Sequence, residues 1–267
     1  MTDETIVFMN NALTKFPEKI TKISFHAFYN SSLSEIIIPE NIDEIEKFAF
    51  EACRKLTKVN IKAPLKKINM GTFIHCNNLK EIILPDEVEY IAESAFNGCE
   101  NLTSINIPKS LTTIGPLAFQ GCKSLKEISL PESLTFLGSA AFCYCNNLRS
   151  LTIPKGVKIL GPHTINCKNL EELKLEEGLL QIEKHAFNIP NVTNLIIPES
   201  VQSINADAFE AYNANLKLYV SPKTLELNPA FEAQYSDVII KDSLEYLSAQ
   251  NKSFKEINSM LKDTKER

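Results

Sequence analysis

Apolar residues recur along the chain at fixed intervals, and phenylalanine marks the interval most clearly. From Phe28 to Phe231, successive members of this phenylalanine slot lie 22 or 23 residues apart. The slot holds Phe28, Phe50, Phe73, Phe96, Phe119, Phe142, Ile165, Phe187, Phe209 and Phe231. A fixed period of this length is typical of a solenoid, in which each repeat is buried only by its neighbours. The sequence therefore predicts one continuous right-handed coil of about ten repeats.

Each repeat contains a pattern that predicts one strand. A central repeat reads Leu102, Ile105, Ile107 and Pro108, and the other repeats follow it closely. Because side chains alternate across a strand, the two isoleucines point into the coil and the residue between them points out. Proline then ends the strand, since it cannot donate a ladder hydrogen bond. Stacked repeats are thus expected to form a curved parallel sheet on the concave face.

A second apolar position lies five residues before each phenylalanine, as Ile91 and Ile114 show. It predicts a short return strand opposite the concave sheet. The Ala-Phe pair that follows, such as Ala118-Phe119, is expected to form a short helical or 3₁₀ turn on the convex side. The fold class is therefore a right-handed α/β repeat solenoid.

These positions resemble the BspA-like class of leucine-rich repeats, whose consensus is close to L-x-x-I-x-I-P-x-x-V-x-x-I-x-x-x-A-F-x-x-C. The similarity covers roughly residues 13 to 231, with local departures such as Ile165 for Phe and Glu176 for Pro. Members of the class occur as bacterial surface or secreted proteins and in parasitic protists, and the resemblance implies a binding module without enzymatic activity. We expect an N-terminal cap with an incomplete first repeat over 1–27, repeats over 28–231, and a C-terminal cap over 232–267 with a helix at 252–262.

Composition and charge argue against several classes of function. The net charge is only −5 and lysine is scattered along the chain, so the basic footprint of a nucleic-acid-binding protein is missing. The sequence shows no secretory signal, no membrane-spanning run and no lipid-anchor motif, which predicts a cytoplasmic protein without membrane insertion. It also lacks the usual phosphate-binding and catalytic motifs, so no cofactor is expected. A monomer is expected.

Six of the seven cysteines follow the repeat. Cys53, Cys76, Cys99, Cys122 and Cys145 lie three residues after the phenylalanine slot, and Cys167 lies two residues after Ile165. Cysteine behaves as a small buried hydrophobe, so we expect reduced thiols that serve packing. Cys143 lies outside this pattern and is expected to be the exposed thiol.

Three of the four histidines share one slot, two residues before the phenylalanine position. They are His26, His163 and His185, and the next repeat carries Asp207 there. A metal site built from His163, His185 and Asp207 is conceivable, because imidazole and carboxylate are zinc ligands. A structural site needs more converging ligands than this slot offers, so exposed convex residues are the favoured interpretation and no metal site is predicted.

The candidate binding surface is the outward position of the concave strands, called here the concave row. Its members are Ile37, Asn60, Ile83, Asn106, Ser129, Thr152, Lys174, Ile196 and Tyr219. Concave faces of solenoids are the usual binding surfaces, and exposed isoleucines on a sheet favour a contact role. The leading hypothesis is a non-catalytic protein–protein interaction scaffold whose protein partner is unidentified. The alternative is a cell-surface adhesin that binds host protein or glycan.

Overall fold

A computed structural model describes residues 19–240 of the chain. The helix expected at 252–262 lies outside the described residues. Within 19–240 the chain forms a parallel solenoid, as the repeat predicts, and every strand pair in it is parallel. Neither of its two helices exceeds six residues, and none in this part of the chain is long and apolar enough to cross a membrane.

The concave face is built from one strand in each repeat except that of residues 126–130, which form no strand. These strands are Glu35–Ile38, Lys58–Ile61, Glu81–Ile83, Ser104–Ile105, Ser150–Ile153, Glu172–Leu175, Asn194–Ile196, Lys217–Tyr219 and Ile239–Ile240. Burial alternates along them as the Ile-x-Ile pattern predicts, so that Ile36 and Ile38 are buried while Ile37 points out. The four N-terminal strands form one hydrogen-bonded sheet, and the others form two smaller sheets.

Return strands of two residues follow the concave strands, at the positions that the sequence predicts. They are Lys22–Ile23, Glu44–Ile45, Lys67–Ile68, Tyr90–Ile91, Thr113–Ile114, Phe136–Leu137, Ile159–Leu160, Gln181–Ile182 and Ser203–Ile204. In each of them the second residue is buried in the core and the first lies at the surface. Each return strand therefore contributes one residue to the core of the coil.

The convex side consists of tight turns, not of helical segments. In most repeats the residue two before the phenylalanine slot has positive φ, as do His26 (55°), Leu117 (59°) and His163 (54°). A right-handed helical or 3₁₀ turn cannot contain such left-handed residues, so the expected helical turn becomes a chain of tight turns. From residue 165 onward the convex side contains short strands, Ile165–Asn166, Phe187–Ile189 and Phe209–Tyr212.

A column of stacked phenylalanines forms the centre of the core. Rings from Phe28 to Phe142 are nearly parallel, with interplanar angles of 3 to 14° and centroids 4.8 to 5.6 Å apart. Ile165 interrupts the column, which resumes with Phe187 and Phe209 at 4.9 Å. No single repeat encloses its own ring, so the core exists only between repeats.

The concave ladder is interrupted in the middle of the coil. The side chain of Asn106 takes the place of a backbone partner: its Oδ1 accepts from the Leu84 N–H at 2.7 Å, and its Nδ2 donates to the Leu84 carbonyl at 2.8 Å. The backbone after Ile105 is thereby held away from the preceding strand. In the following repeat, residues 126–130 form no strand and donate no backbone hydrogen bond within the described part of the chain.

Two short helices replace the last return strand. The first, α1 (Pro222–Leu227), begins at Ser221, whose side chain accepts a hydrogen bond from the Thr224 N–H at 3.1 Å. The second, α2 (Pro229–Gln234), carries the final phenylalanine slot residue, Phe231, which is fully buried. Serine followed by proline is a helix-start signal that the repeat pattern obscures.

The ring column generates a stability prediction. Replacing Phe119 with alanine should reduce the free energy of unfolding by about 3 to 5 kcal/mol, because it leaves a cavity between two stacked rings. Chemical denaturation monitored by circular dichroism measures this. The matched control is Phe25→Ala, an exposed ring, which should cost about 1 kcal/mol or less. Equal losses for the two variants would contradict the column's role.

The ladder interruption generates a second prediction. Backbone amides at 127–130 should exchange with deuterium at least about tenfold faster than those of the neighbouring strand Ser150–Ile153, because they lack ladder acceptors. Hydrogen exchange with mass spectrometry on the native protein resolves the two segments. Equal protection would show that the concave ladder is continuous.

Candidate functional site

The N-terminal part of the concave row forms a continuous surface. Ile37 lies in register with Asn60, and Asn60 lies in register with Ile83. Ile37 is 57% exposed, Ile83 is also exposed, and Asn60 between them is half-buried. Three successive repeats therefore present two isoleucines on either side of an amide.

The middle of the concave row is divided. Asn106 and Ser129 are exposed. The Asn106 amide is hydrogen-bonded to the backbone of Leu84, and Ser129 lies in the segment without a strand. The row resumes where Thr152 lies in register with Lys174, both exposed. Lys174 forms an ion pair with Glu176 at 3.0 Å within its own repeat. This part of the row is polar.

The C-terminal end of the concave row differs from the sequence expectation. Ile196 is half-buried, and Tyr219, predicted to face solvent, is only 1% exposed. Tyr219 lies in register with Ile196, and its hydroxyl lies 3.5 Å from Oδ1 of Asn194, which is itself buried. A long aromatic side chain in this slot reaches back over the preceding repeat. Tyr219 is therefore part of the packed end of the coil.

Charged side chains border the continuous part of the row. Lys58 and Glu81, each beside the row on adjacent strands, form an ion pair at 3.1 Å. Glu35 is exposed on the other side of Lys58. An apolar centre with a charged border is the usual composition of a protein contact surface.

The six repeat cysteines are buried, as expected, and the structure adds a role for their thiols. Each thiol donates to the carbonyl of the phenylalanine in the preceding repeat, as Cys76 does to Phe50 at 3.0 Å and Cys99 to Phe73 at 3.2 Å. Burial raises the pKa of the Cys99 and Cys145 thiols well above the ordinary range of cysteine. The hydrogen bond with Cys76 lowers the pKa of Cys53, whereas the more deeply buried thiols remain protonated donors that join one repeat to the next.

Cys143 is not the exposed thiol that its position outside the pattern suggested. It is 4% exposed, and burial, with a smaller effect of the Glu210 carboxylate, raises its pKa. Its slot is occupied in the two following repeats by Asn166, which is also buried, and Asn188. Burial and the raised pKa leave Cys143 without the thiolate character of a nucleophile.

The histidine slot is explained by backbone conformation. His26, His163 and His185 all have positive φ, and histidine is among the residues that tolerate this region. The His163 and His185 rings lie 5.6 Å apart, but Nδ1 of His163 pairs with Glu210 at 3.3 Å and Asp207 pairs with Lys184 at 3.3 Å. Among residues 19–240, no three His, Cys, Asp or Glu side chains converge to hold a metal ion.

Comparison with known proteins identifies the repeat. The model of the BspA-type leucine-rich repeat region matches residues 4–122 and 89–217. No curated protein gives a significant match.

Among solved structures, a leucine-rich repeat protein of T. pallidum is 30% identical, with 61% of this chain and 81% of that chain covered and a TM-score of 0.54. One from Bacteroides ovatus ATCC 8483 is 24% identical, with coverages of 82% and 69% and a TM-score of 0.60. One from Eubacterium ventriosum ATCC 27560 is also 24% identical, with coverages of 74% and 63% and a TM-score of 0.53. The last two likenesses concern the fold alone.

The buried thiols generate a prediction. Under native conditions the six repeat cysteines should not react with a thiol reagent, and Cys143 should react at least about tenfold more slowly than free cysteine at pH 8, because a raised pKa leaves less thiolate. Absorbance of the released chromophore measures both rates. In guanidinium all seven cysteines should react. Rapid native labelling of several thiols would contradict the burial.

Proposed function

Since the chain belongs to the BspA-type leucine-rich repeat family, we propose that it is a non-catalytic scaffold that binds a protein partner on its concave sheet. The observation that carries the proposal is the exposed Ile37–Asn60–Ile83 surface in three hydrogen-bonded strands. The strand alternation holds these side chains outward, and the core does not use them. Their exposure on a rigid sheet suits a preformed contact with a partner.

The composition of this surface indicates what the partner presents. Two isoleucines offer apolar area for a complementary apolar side chain, and the Asn60 amide between them offers both a donor and an acceptor. Glu35 beside the row favours a basic group at the border of the contact. We infer a partner with an apolar centre and a basic edge.

The absence of catalysis is part of the same proposal. The seven cysteines are buried, and the histidines at 26, 163 and 185 lie on the convex turns, away from the concave row. A nucleophile and a base within hydrogen-bond reach are the minimum for covalent catalysis. The concave row contains only apolar, amide, hydroxyl and lysine side chains apart from the buried Tyr219, a composition that suits binding.

We also propose that the protein works in the cytoplasm. All seven cysteines are free thiols, and six of them use the S–H group as a hydrogen-bond donor between repeats. A reducing compartment preserves such thiols, whereas secreted proteins usually oxidise theirs. The adhesin alternative instead requires the protein to be accessible at the cell surface. Protease treatment of intact source cells separates these two locations, since only a surface protein is degraded.

The concave row generates a functional prediction. The double variant Ile37→Asp/Ile83→Asp should keep its melting temperature while its affinity for the partner falls by about a hundredfold or more, because two carboxylates would lie unpaired in a dry contact. The partner is first identified by affinity capture and mass spectrometry, and its binding is then measured by calorimetry.

The matched control is Leu227→Asp, which places a carboxylate on an exposed leucine of α1, at the other end of the coil from Ile37 and Ile83. It should bind as the wild type does. If the double variant bound normally with a normal melt, the concave row would not be the contact surface.

A further inference from the structure

The return strands carry an apolar stripe on their outward side, defined by Tyr90, Thr113, Phe136 and Ile159. Tyr90 is 36% exposed, Phe136 51% and Ile159 47%. Tyr90 and Phe136 both lie in register with Thr113, and Ile159 begins the return strand of the next repeat. The stripe therefore crosses four successive repeats, which at strand spacing is a length of about 15 Å.

Glycines lie on one side of the stripe and Glu89, two threonines and Lys158 on the other, and the Lys67 ammonium lies 4.9 Å from the centroid of the Tyr90 ring. Gly115, Gly138 and Gly161 follow the stripe by two residues, and a Cβ on Gly138 would lie 2.3 Å from the Pro116 nitrogen. No side chain fits at Gly138, so the stripe residues project beside a surface of exposed backbone. On the other side, the Thr112 and Thr135 hydroxyls donate to carbonyls of the preceding repeats, at 3.0 and 3.2 Å.

This stripe is more continuous than the concave row. The concave isoleucines alternate with polar residues, whereas Phe136 and Ile159 are adjacent and an aromatic ring begins the stripe. Contiguous exposed apolar surface on a soluble protein marks a contact site. The sequence signal for the stripe is the first residue of each return strand. In successive repeats this position reads Lys67, Tyr90, Thr113, Phe136, Ile159 and Gln181, so its apolar members are grouped in the middle of the coil.

We propose that the stripe is the surface through which two copies of this chain associate face to face, with their solenoid axes antiparallel. A two-fold axis between Thr113 and Phe136, along the strand direction, places the Phe136 ring of one copy over the small Thr113 of the other. The same axis places Tyr90 opposite Ile159. Large and small side chains then interdigitate, as a self-complementary two-fold interface requires.

The charged residues beside the stripe are complementary under the same two-fold axis. Glu89 and Lys158 precede Tyr90 and Ile159, and the two-fold places Glu89 of each copy opposite Lys158 of the other. Among residues 19–240, the one ion pair of the Glu89 carboxylate is to Lys66 at 3.5 Å, and the Lys158 ammonium donates to the Lys155 and Gly178 carbonyls. The third N–H of that ammonium is available to a carboxylate.

Other registers are less favourable. Sliding the second copy by one repeat, which moves the axis half a repeat toward the C-terminus, places Glu89 opposite Leu180. Sliding it by one repeat the other way, which moves the axis half a repeat toward the N-terminus, places Lys158 opposite Lys66, a pair of like charges. Electrostatic complementarity therefore favours the register in which the rings interdigitate over its two neighbouring registers.

This dimer replaces the monomer expected from the sequence. It is independent of partner binding on the concave row, because the return strands lie on a different face. Both concave rows remain open, so one dimer offers two identical contact surfaces and gains avidity for a multivalent partner.

The test is the mass of the full chain in solution, measured by sedimentation equilibrium from about 1 to 100 µM, the range of weak specific association. The wild type should reach twice the chain mass of 30.0 kDa. Phe136→Asp should remain monomeric with an unchanged circular dichroism melt. The control Ile83→Asp, which places an aspartate on an exposed apolar residue of the concave strand, should dimerise as the wild type does. A monomeric wild type, or a dimer disrupted by Ile83→Asp but not by Phe136→Asp, would overturn the proposal.

Charge reversal tests the register even if Phe136→Asp fails to fold. Glu89→Lys and Lys158→Glu should each weaken dimerisation by about tenfold, since each change affects two symmetric pairs. The double variant Glu89→Lys/Lys158→Glu should recover the wild-type dissociation constant to within about threefold, since it restores opposite charges. A double variant as weak as the single variants would contradict the antiparallel two-fold.

Discussion

The stacking of one phenylalanine per repeat is the contact on which the rest of this structure depends. A repeat of 22 or 23 residues has too little apolar surface to enclose a core, and its ring is buried only when the rings above and below are in place. Each offset-stacked pair contributes about 0.5 to 1.5 kcal/mol beyond the area it buries. Where Ile165 interrupts the column, the repeat length changes from 23 to 22 residues and short convex strands begin.

The backbone conformation and the packing of the coil account for the recurring histidines and cysteines, which by themselves would suggest a metal site or a catalytic thiol. Histidine recurs two positions before the phenylalanine because the backbone there is left-handed, a conformation that His26, His163 and His185 share with Phe48, Gly71 and Leu117. Cysteine recurs because a small buried side chain with one donor can reach the carbonyl of the preceding repeat. Both patterns serve the scaffold. The functional chemistry is left to positions that face outward, where the coil imposes no residue type.

Two outward faces differ in character and suit different contacts. The concave row has isolated isoleucines beside an amide and a charged border, a composition that suits a partner of another kind. The return-strand stripe is uncharged, more aromatic and self-complementary, which suits a second copy. Because the two faces lie on opposite sides of each repeat, occupation of one leaves the other accessible. The interruption of the concave ladder at Asn106 lies between the continuous N-terminal part of the concave row and its polar C-terminal part.

The sequence by itself determined the period, the fold class, most of the strand positions and the burial of Phe119, because similar repeats place equivalent residues in equivalent environments. It could not determine what happens where a repeat departs from its neighbours. Tyr219 occupies an outward slot but is buried. Cys143 lies outside the cysteine pattern but is also buried. Asn106 occupies a surface position, yet its side chain binds the Leu84 backbone. Each outcome depends on side-chain length and on which group the adjacent repeat places within reach, about 5 Å away. Periodicity fixes the slot of a residue, whereas contacts between neighbouring repeats decide whether that slot is open.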